Sequence, residues 1–80
     1  MSVTVLLFAS YADALGTSRL SLDVGDGDTV SDVLGRLRER AGAQALPPTP
    51  LVAVNEEYAS VGQALRAGDT VAIIPPVAGG

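Results

Sequence analysis

Apolar residues recur at every second position at the start of the chain, with Val3, Val5 and Leu7 on one face and Thr4, Leu6 and Phe8 on the other. A period of two predicts a strand over roughly the first eight residues, and apolar character on both faces suits a central strand. The same period returns from Arg19 to Val24, with Leu20, Leu22 and Val24 inward and Arg19, Ser21 and Asp23 outward. That pattern predicts a strand buried on one side and hairpinned back onto the first. Between the two, Ser10 to Leu15 reads as a short turn of helix, capped by Ser10 and stopped by Gly16.

The period then changes. After turn residues Gly25-Asp26-Gly27-Asp28, Thr29 is placed to cap a helix with Asp32 three residues on, and the apolar stripe Val30, Val33, Leu34, Leu37 and Ala41 carries that helix to about Ala41. Asp32 and Arg36 are spaced to pair, while Arg36, Arg38 and Arg40 oppose the negative end of the helix dipole as a solvated helix end. Gly35 costs such a helix about 1 kcal/mol, for which close packing on the sheet is the expected reason. Gly42 is the predicted stop. Pro47, Pro48 and Pro50 forbid regular structure in the loop over 42–50. Leu51 to Val54 is a short strand turned at Asn55-Glu56, with a brief extended stretch around Tyr58. The spacing allows one helical turn from Val61 to Leu65. After the Gly68-Asp69 turn, Thr70 to Ile74 forms the last strand.

A hairpin, a crossing helix and further strands predict an α+β fold: a mixed sheet of 4–5 strands with one main helix on one face. The expected core is Val3, Val5, Leu7, Leu20, Leu22, Val30, Val33, Leu34, Leu37, Val71 and Ile73. The opposite sheet face carries Leu6, Phe8, Ala72 and Ile74, with Tyr58 nearby. No second amphipathic helix exists to cover it. An apolar patch of this kind marks a protein interface, unless the short segments at 11–15 and 61–65 fold over it.

Composition narrows the chemistry. The chain of 80 residues is 48% hydrophobic and 18% charged, which predicts one globular domain over 1–80. It has no cysteine, histidine or lysine, so disulfides, thiol and Schiff-base catalysis and the usual zinc sites are excluded. A net charge of −4 disfavours nucleic acid and anionic membrane as partners. The apolar run Val5 to Ala9 is far too short to cross a bilayer, and with no basic leader segment the expected location is the cytoplasm. The acid pairs Glu56-Glu57 and Asp26-Asp28 sit in turns, where solvated carboxylates are the ordinary reading, and Gly25-Asp26-Gly27 lacks the rest of a phosphate loop. Nothing here makes a free-standing catalyst.

The C-terminus is different. Pro75-Pro76 removes two backbone donors and ends the ladder, and Val77-Ala78-Gly79-Gly80 follows as a flexible tail over 75–80. Gly-Gly can thread a channel that side chains would block, and the Gly80 carboxylate has no Cβ crowding its carbonyl. On the residues alone, an inert frayed tail is the competing reading.

Leu7-Phe8-Ala9, the Val54-Asn55 turn, Ala67-Gly68-Asp69 and the ending Pro75-Pro76-Val77-Ala78-Gly79-Gly80 together resemble the sulfur-carrier branch of the ubiquitin-like β-grasp family. Within that branch they are most similar to the small subunits of molybdopterin synthase. Where many relatives carry an Arg-Glu pair, this chain has Tyr11-Ala12-Asp13. The resemblance implies a carrier that is not catalytic alone and binds no cofactor. An ATP-dependent adenylating enzyme would activate Gly80, and a sulfur donor would convert it to a thiocarboxylate. Pro75, Pro76, Val77, Ala78 and Gly79 would then enter the large synthase subunit, where sulfur passes to cyclic pyranopterin monophosphate within a heterotetramer. Phe8, Tyr58 and Ile74 would form the partner interface. A carrier for thiamine or cysteine synthesis, a ubiquitin-like modifier joined through Gly80, and a β-grasp binding module with an inert tail are the alternatives.

Overall fold

A computed structural model of the chain describes residues 1–40 and 42–76. Strand β1 (Ser2–Leu7) leads into helix α1 (Ala9–Leu15), strand β2 (Arg19–Asp23) and helix α2 (Val30–Leu37). A 3-10 turn at Ala43–Ala45 precedes β3 (Leu51–Val54), β4 (Glu57–Tyr58) and β5 (Thr70–Ile74). The five strands form one mixed sheet in the order β2-β1-β5-β3-β4, with β1 and β5 parallel and the other pairs antiparallel. The two-sided apolar pattern of β1 and β5 thus belongs to the central strand and one of its two interior neighbours. Val3, Val5, Leu7, Val71 and Ile73 bury one face of these strands against Val30, Val33, Leu34 and Leu37 of α2.

The core is larger than the apolar periodicity indicates. Tyr11, Val24, Leu46, Val52, Val54 and Leu65 join it, while Leu20, on the edge strand, is only partly buried. Tyr11 and Leu65 explain why the segments at 11–15 and 61–65 leave the second sheet face open: these two side chains enter the core on the α2 side of the sheet, while Val61 stays exposed. The predicted helical turn at 61–65 does not form. A single hydrogen-bonded turn forms at Val61-Gly62 instead, with Gln63 N–H donating to the Ser60 carbonyl at 3.1 Å, and beside the start of α2 the Val61 and Gln63 carbonyls accept from Ser31 and Val30 N–H at 2.9 and 3.0 Å. A helix N-terminus leaves donors unpaired, and this segment satisfies two of them.

Several local expectations shift by a residue or a turn. Phe8, not Ser10, caps α1, its carbonyl accepting from Tyr11 and Ala12 N–H, and the chain bends there because Ala9 takes φ 48°. Gly16 ends α1 in the left-handed region as expected. Helix α2 stops at Leu37, four residues short of Ala41, which lies outside the described residues. Past Leu37 the side chains of Arg38, Glu39 and Arg40 are all exposed, and the bonds tighten to Glu39 N–H→Arg36 and Arg40 N–H→Leu37. With no apolar stripe left to bury, the α geometry has nothing holding it.

The Thr29–Asp32 cap forms, with the Asp32 carboxylate accepting from Thr29 N–H at 2.7 Å and Thr29 Oγ1 at 3.0 Å. Those bonds hold the carboxyl of Asp32 below its ordinary value, with a smaller contribution from Arg36. Because Asp32 is engaged, Arg36 does not pair with it. It instead bonds Asp28 at 3.1 Å and the Asp23 carbonyl. Gly35 is exposed and a Cβ there would meet nothing, so close packing on the sheet is not its reason. Arg38 serves the proline loop, donating to the Pro47 and Pro48 carbonyls at 3.1 and 2.8 Å.

Edge strand β2 is partly closed at both ends. Its outward-facing backbone groups belong to Arg19, Ser21 and Asp23, since the alternate residues bond β1. Thr17 Oγ1 donates to the Arg19 carbonyl at 2.8 Å and accepts from Arg19 N–H at 3.2 Å, and Arg36 covers the Asp23 carbonyl. The other edge strand, β4, has only two residues.

Candidate functional site

The sheet register assembles the face opposite α2. Ala53 lies opposite both Tyr58 and Ala72, Ala72 lies beside Leu6, and Leu6 lies opposite Arg19, so these residues form one row across all five strands. The next row on this face brings Ile74 beside Leu51, with Phe8 following the paired end of β1. Together they floor and wall an open depression of about 640 Å³ lined by Leu6, Phe8, Ala53, Asn55, Glu56, Tyr58, Thr70, Ala72 and Ile74. Phe8 is 46% and Tyr58 75% exposed, which is costly for large rings in a monomer and marks a surface meant to be covered.

The predicted interface residues Phe8, Tyr58 and Ile74 are therefore brought together. Pro75 and Pro76 leave the end of β5 at the same end of the sheet as Phe8, with Pro75 half-buried and Pro76 exposed. Val77, Ala78, Gly79 and Gly80 lie outside the described residues. The sequence reading missed Leu51, Ala53, Asn55, Glu56 and Thr70 on this face. Parity within Leu51-Val52-Ala53-Val54 carried the signal, but using it requires knowing that β3 sits beside β5 rather than at an edge.

The two interior motifs, the Val54-Asn55 turn and Ala67-Gly68-Asp69, prove to be one network at the base of this face. Asp69 accepts from Asn55 Nδ2 at 3.0 Å and from Arg66 N–H at 2.8 Å, and Asn55 Oδ1 accepts from Thr70 N–H at 2.9 Å. Asn55 N–H donates to the Thr70 carbonyl at 2.8 Å, and the Asp69 carbonyl accepts from Thr4 N–H at 2.9 Å. The hairpin turn, the entry to β5 and strand β1 are locked at one point, which fixes the register of β5 between its neighbours.

The Arg66 N–H and then the Asn55 amide hold the Asp69 carboxyl below its ordinary value. A carboxylate with a depressed folded-state pKa stabilises above its unfolded value and loses that contribution as pH falls through the folded value. Asp69→Ala is accordingly expected to cost about 1 kcal/mol near neutral pH, for the lost hydrogen bonds. Urea titrations of both chains should show the gap closing as the solution is made strongly acidic. A gap independent of pH would remove Asp69 ionisation from the account.

Among the described residues, no cluster of acids could hold a metal ion, no polar side chain is buried, and no helix is long and apolar enough to cross a membrane. Asp28 is occupied structurally, accepting from Gly25 N–H at 2.7 Å besides its pairing with Arg36. What this face offers is an apolar surface for binding and positioning.

A five-stranded mixed sheet in this order, with α2 on one face and the other face open, is the ubiquitin-like β-grasp fold. Consistent with it, the solved structure of small archaeal modifier protein 1 from Haloferax volcanii superposes with a TM-score of 0.85 at 30% identity, over 95% of this chain and 98% of that one. Within the fold class, the chain belongs to the ThiS family, whose pattern it matches over residues 5–80. It is 34% identical to the molybdopterin synthase sulfur carrier subunit of Chlamydomonas reinhardtii over the full length of both chains. It is 36% identical to the subunit of the same name in Drosophila erecta, over all of this chain and 92% of the other.

Proposed function

We propose that this chain is the sulfur carrier of molybdenum-cofactor assembly, acting as the small subunit of molybdopterin synthase. The observation that carries the reading is the end-to-end likeness to sulfur carrier subunits, with a family match that runs through to residue 80. The geometry agrees with it: an open apolar face ends where Pro75-Pro76 departs, so a partner holding that face receives the tail in a set direction.

In this reading Gly80 is the working group. A carboxylate is a poor electrophile, so its oxygen first displaces pyrophosphate from ATP on an adenylating partner. Sulfur from a donor then attacks the carbonyl carbon, AMP leaves, and a thiocarboxylate remains. The large subunit binds Phe8, Tyr58 and Ile74, and the side-chain-free Gly79-Gly80 passes into its active site. There the thiocarboxylate sulfur bonds to a carbon of cyclic pyranopterin monophosphate, water cleaves the acyl–sulfur bond and restores the Gly80 carboxylate, and two such transfers build the dithiolene. The chain itself works in the cytoplasm.

The test is intact-mass measurement after incubation with ATP, a sulfide source and the adenylating enzyme of the same genome. The expected result is replacement of one oxygen by sulfur, mapped by fragmentation to Gly80, with none in a chain lacking Gly80. Likeness to a small archaeal modifier protein favours a second reading, in which Gly80 is joined to lysines of other proteins. Conjugates of higher mass, with no sulfur transfer to the pterin in the presence of the large subunit, would establish that reading instead.

A further inference from the structure

The turn joining β3 to β4 holds two residues, Asn55 and Glu56, both in the left-handed region with φ 51° and 73°. Positive φ at both central positions is the hairpin turn whose twist matches the strands, and its second position is ordinarily glycine. Asn55 suits its place and is used there, through both ends of its amide. Glu56 does not. A side chain with a Cβ is strained at that φ, and the Glu56 carboxylate returns nothing to the fold: among the described residues the one ion pair is Arg36–Asp28. Its neighbour Glu57 borders a polar cleft with Gln63 and Arg66, whereas Glu56 borders the apolar depression.

We infer that Glu56 is a specificity-determining residue of the docking face, and that the partner surface seated there carries an arginine or lysine opposite it. The inference rests on the proposed docking of the large subunit. An apolar floor supplies attraction without orientation. One fixed charge at its rim, at the end away from the tail, speeds productive encounter and excludes partners with an acid at that point. The position makes two effects oppose each other. Removing the side chain relieves the backbone while removing the charge, so stability and binding should move in opposite directions.

The experiment measures binding to the large molybdopterin synthase subunit of the same genome across a range of salt concentrations. It compares wild type, Glu56→Gln, Glu56→Gly and Asp26→Asn, the last removing an equal charge from the turn before α2. Both Glu56 variants are expected to bind about fivefold more weakly at low salt, with a shallower salt dependence, while Asp26→Asn stays near wild type. Glu56→Gly is also expected to raise the thermal midpoint by about 4 °C. Unchanged affinity and salt slope in both Glu56 variants would overturn the inference, as would a lowered midpoint in Glu56→Gly. If wild type itself fails to bind, the proposed function fails and the inference falls with it. If wild type binds and Glu56→Gln does so equally well, only the inference falls.

Discussion

Phe8→Asp is expected to leave the fold intact and to weaken binding to the large synthase subunit by at least ~100-fold. The two halves of that expectation have separate causes. Phe8 is the N-cap of α1 and makes no side-chain capping bond there, whereas aspartate is among the preferred residues at that position. A phenyl ring already 46% exposed gives up about 1 kcal/mol of burial when removed, and a cap returns about the same. Docking has no such compensation. The ring is lost as an anchor, at about 2 kcal/mol or more, and a carboxylate is introduced where the partner must exclude water. Circular dichroism and thermal melts would verify the first half, and calorimetric titration the second. Near-normal affinity would move the interface off this face.

Gly42→Ala is expected to destabilise the chain by about 3 kcal/mol or more, out of the roughly 4–12 kcal/mol available to a domain of this size. Gly42 has φ 88°, which alone costs a Cβ-bearing residue about 1 kcal/mol. A Cβ would also lie on the Ala14 carbonyl oxygen and 2.7 Å from its carbon. Those are backbone atoms at the end of α1, so relief requires moving that helix away from the 3-10 turn. Gly16 supplies the comparison, since it has φ 78° with open space around its missing Cβ. Denaturant titration should show Gly16→Ala losing only the backbone contribution and Gly42→Ala losing several times as much. Equal losses would mean that the α1 contact yields freely.

The same position shows where sequence reasoning stops. The helix stop expected at Gly42 is not there, since α2 already ends at Leu37; Gly42 instead opens the 3-10 turn, and its close approach to α1 depends on how two connectors cross. The elements with an apolar period were readable: both strands of the first hairpin, β5, and the α2 stripe from Val30 to Leu37 all lie where alternation predicts. Residues without a period were not. Leu46 and Leu65 sit in the connectors over 38–50 and 59–69 and are buried because the fold brings them over the core, a property of tertiary position alone. Arg36 illustrates the same limit for charges. Asp32 has ideal spacing from it, yet the carboxylate is already held by Thr29, and the guanidinium turns to Asp28 and Asp23. For the candidate site, Phe8, Tyr58 and Ile74 came from family likeness together with strand parity. Leu51, Ala53 and Glu56 required the strand order, which places β3 between β5 and β4.

The bonds made by Thr17 and Arg36 at β2 bear on a different hazard. A small sheet protein can recruit copies of itself through an uncovered apolar face or through an unpaired strand edge. The face here has to stay uncovered if a partner is to use it. The edges are another matter: β4 is too short to template a neighbour, and β2 offers little beyond the groups of Ser21 and the Asp23 N–H. Self-assembly by strand addition is thereby discouraged without any loss of the surface used for recognition. Stickiness toward a partner is separated from stickiness toward itself.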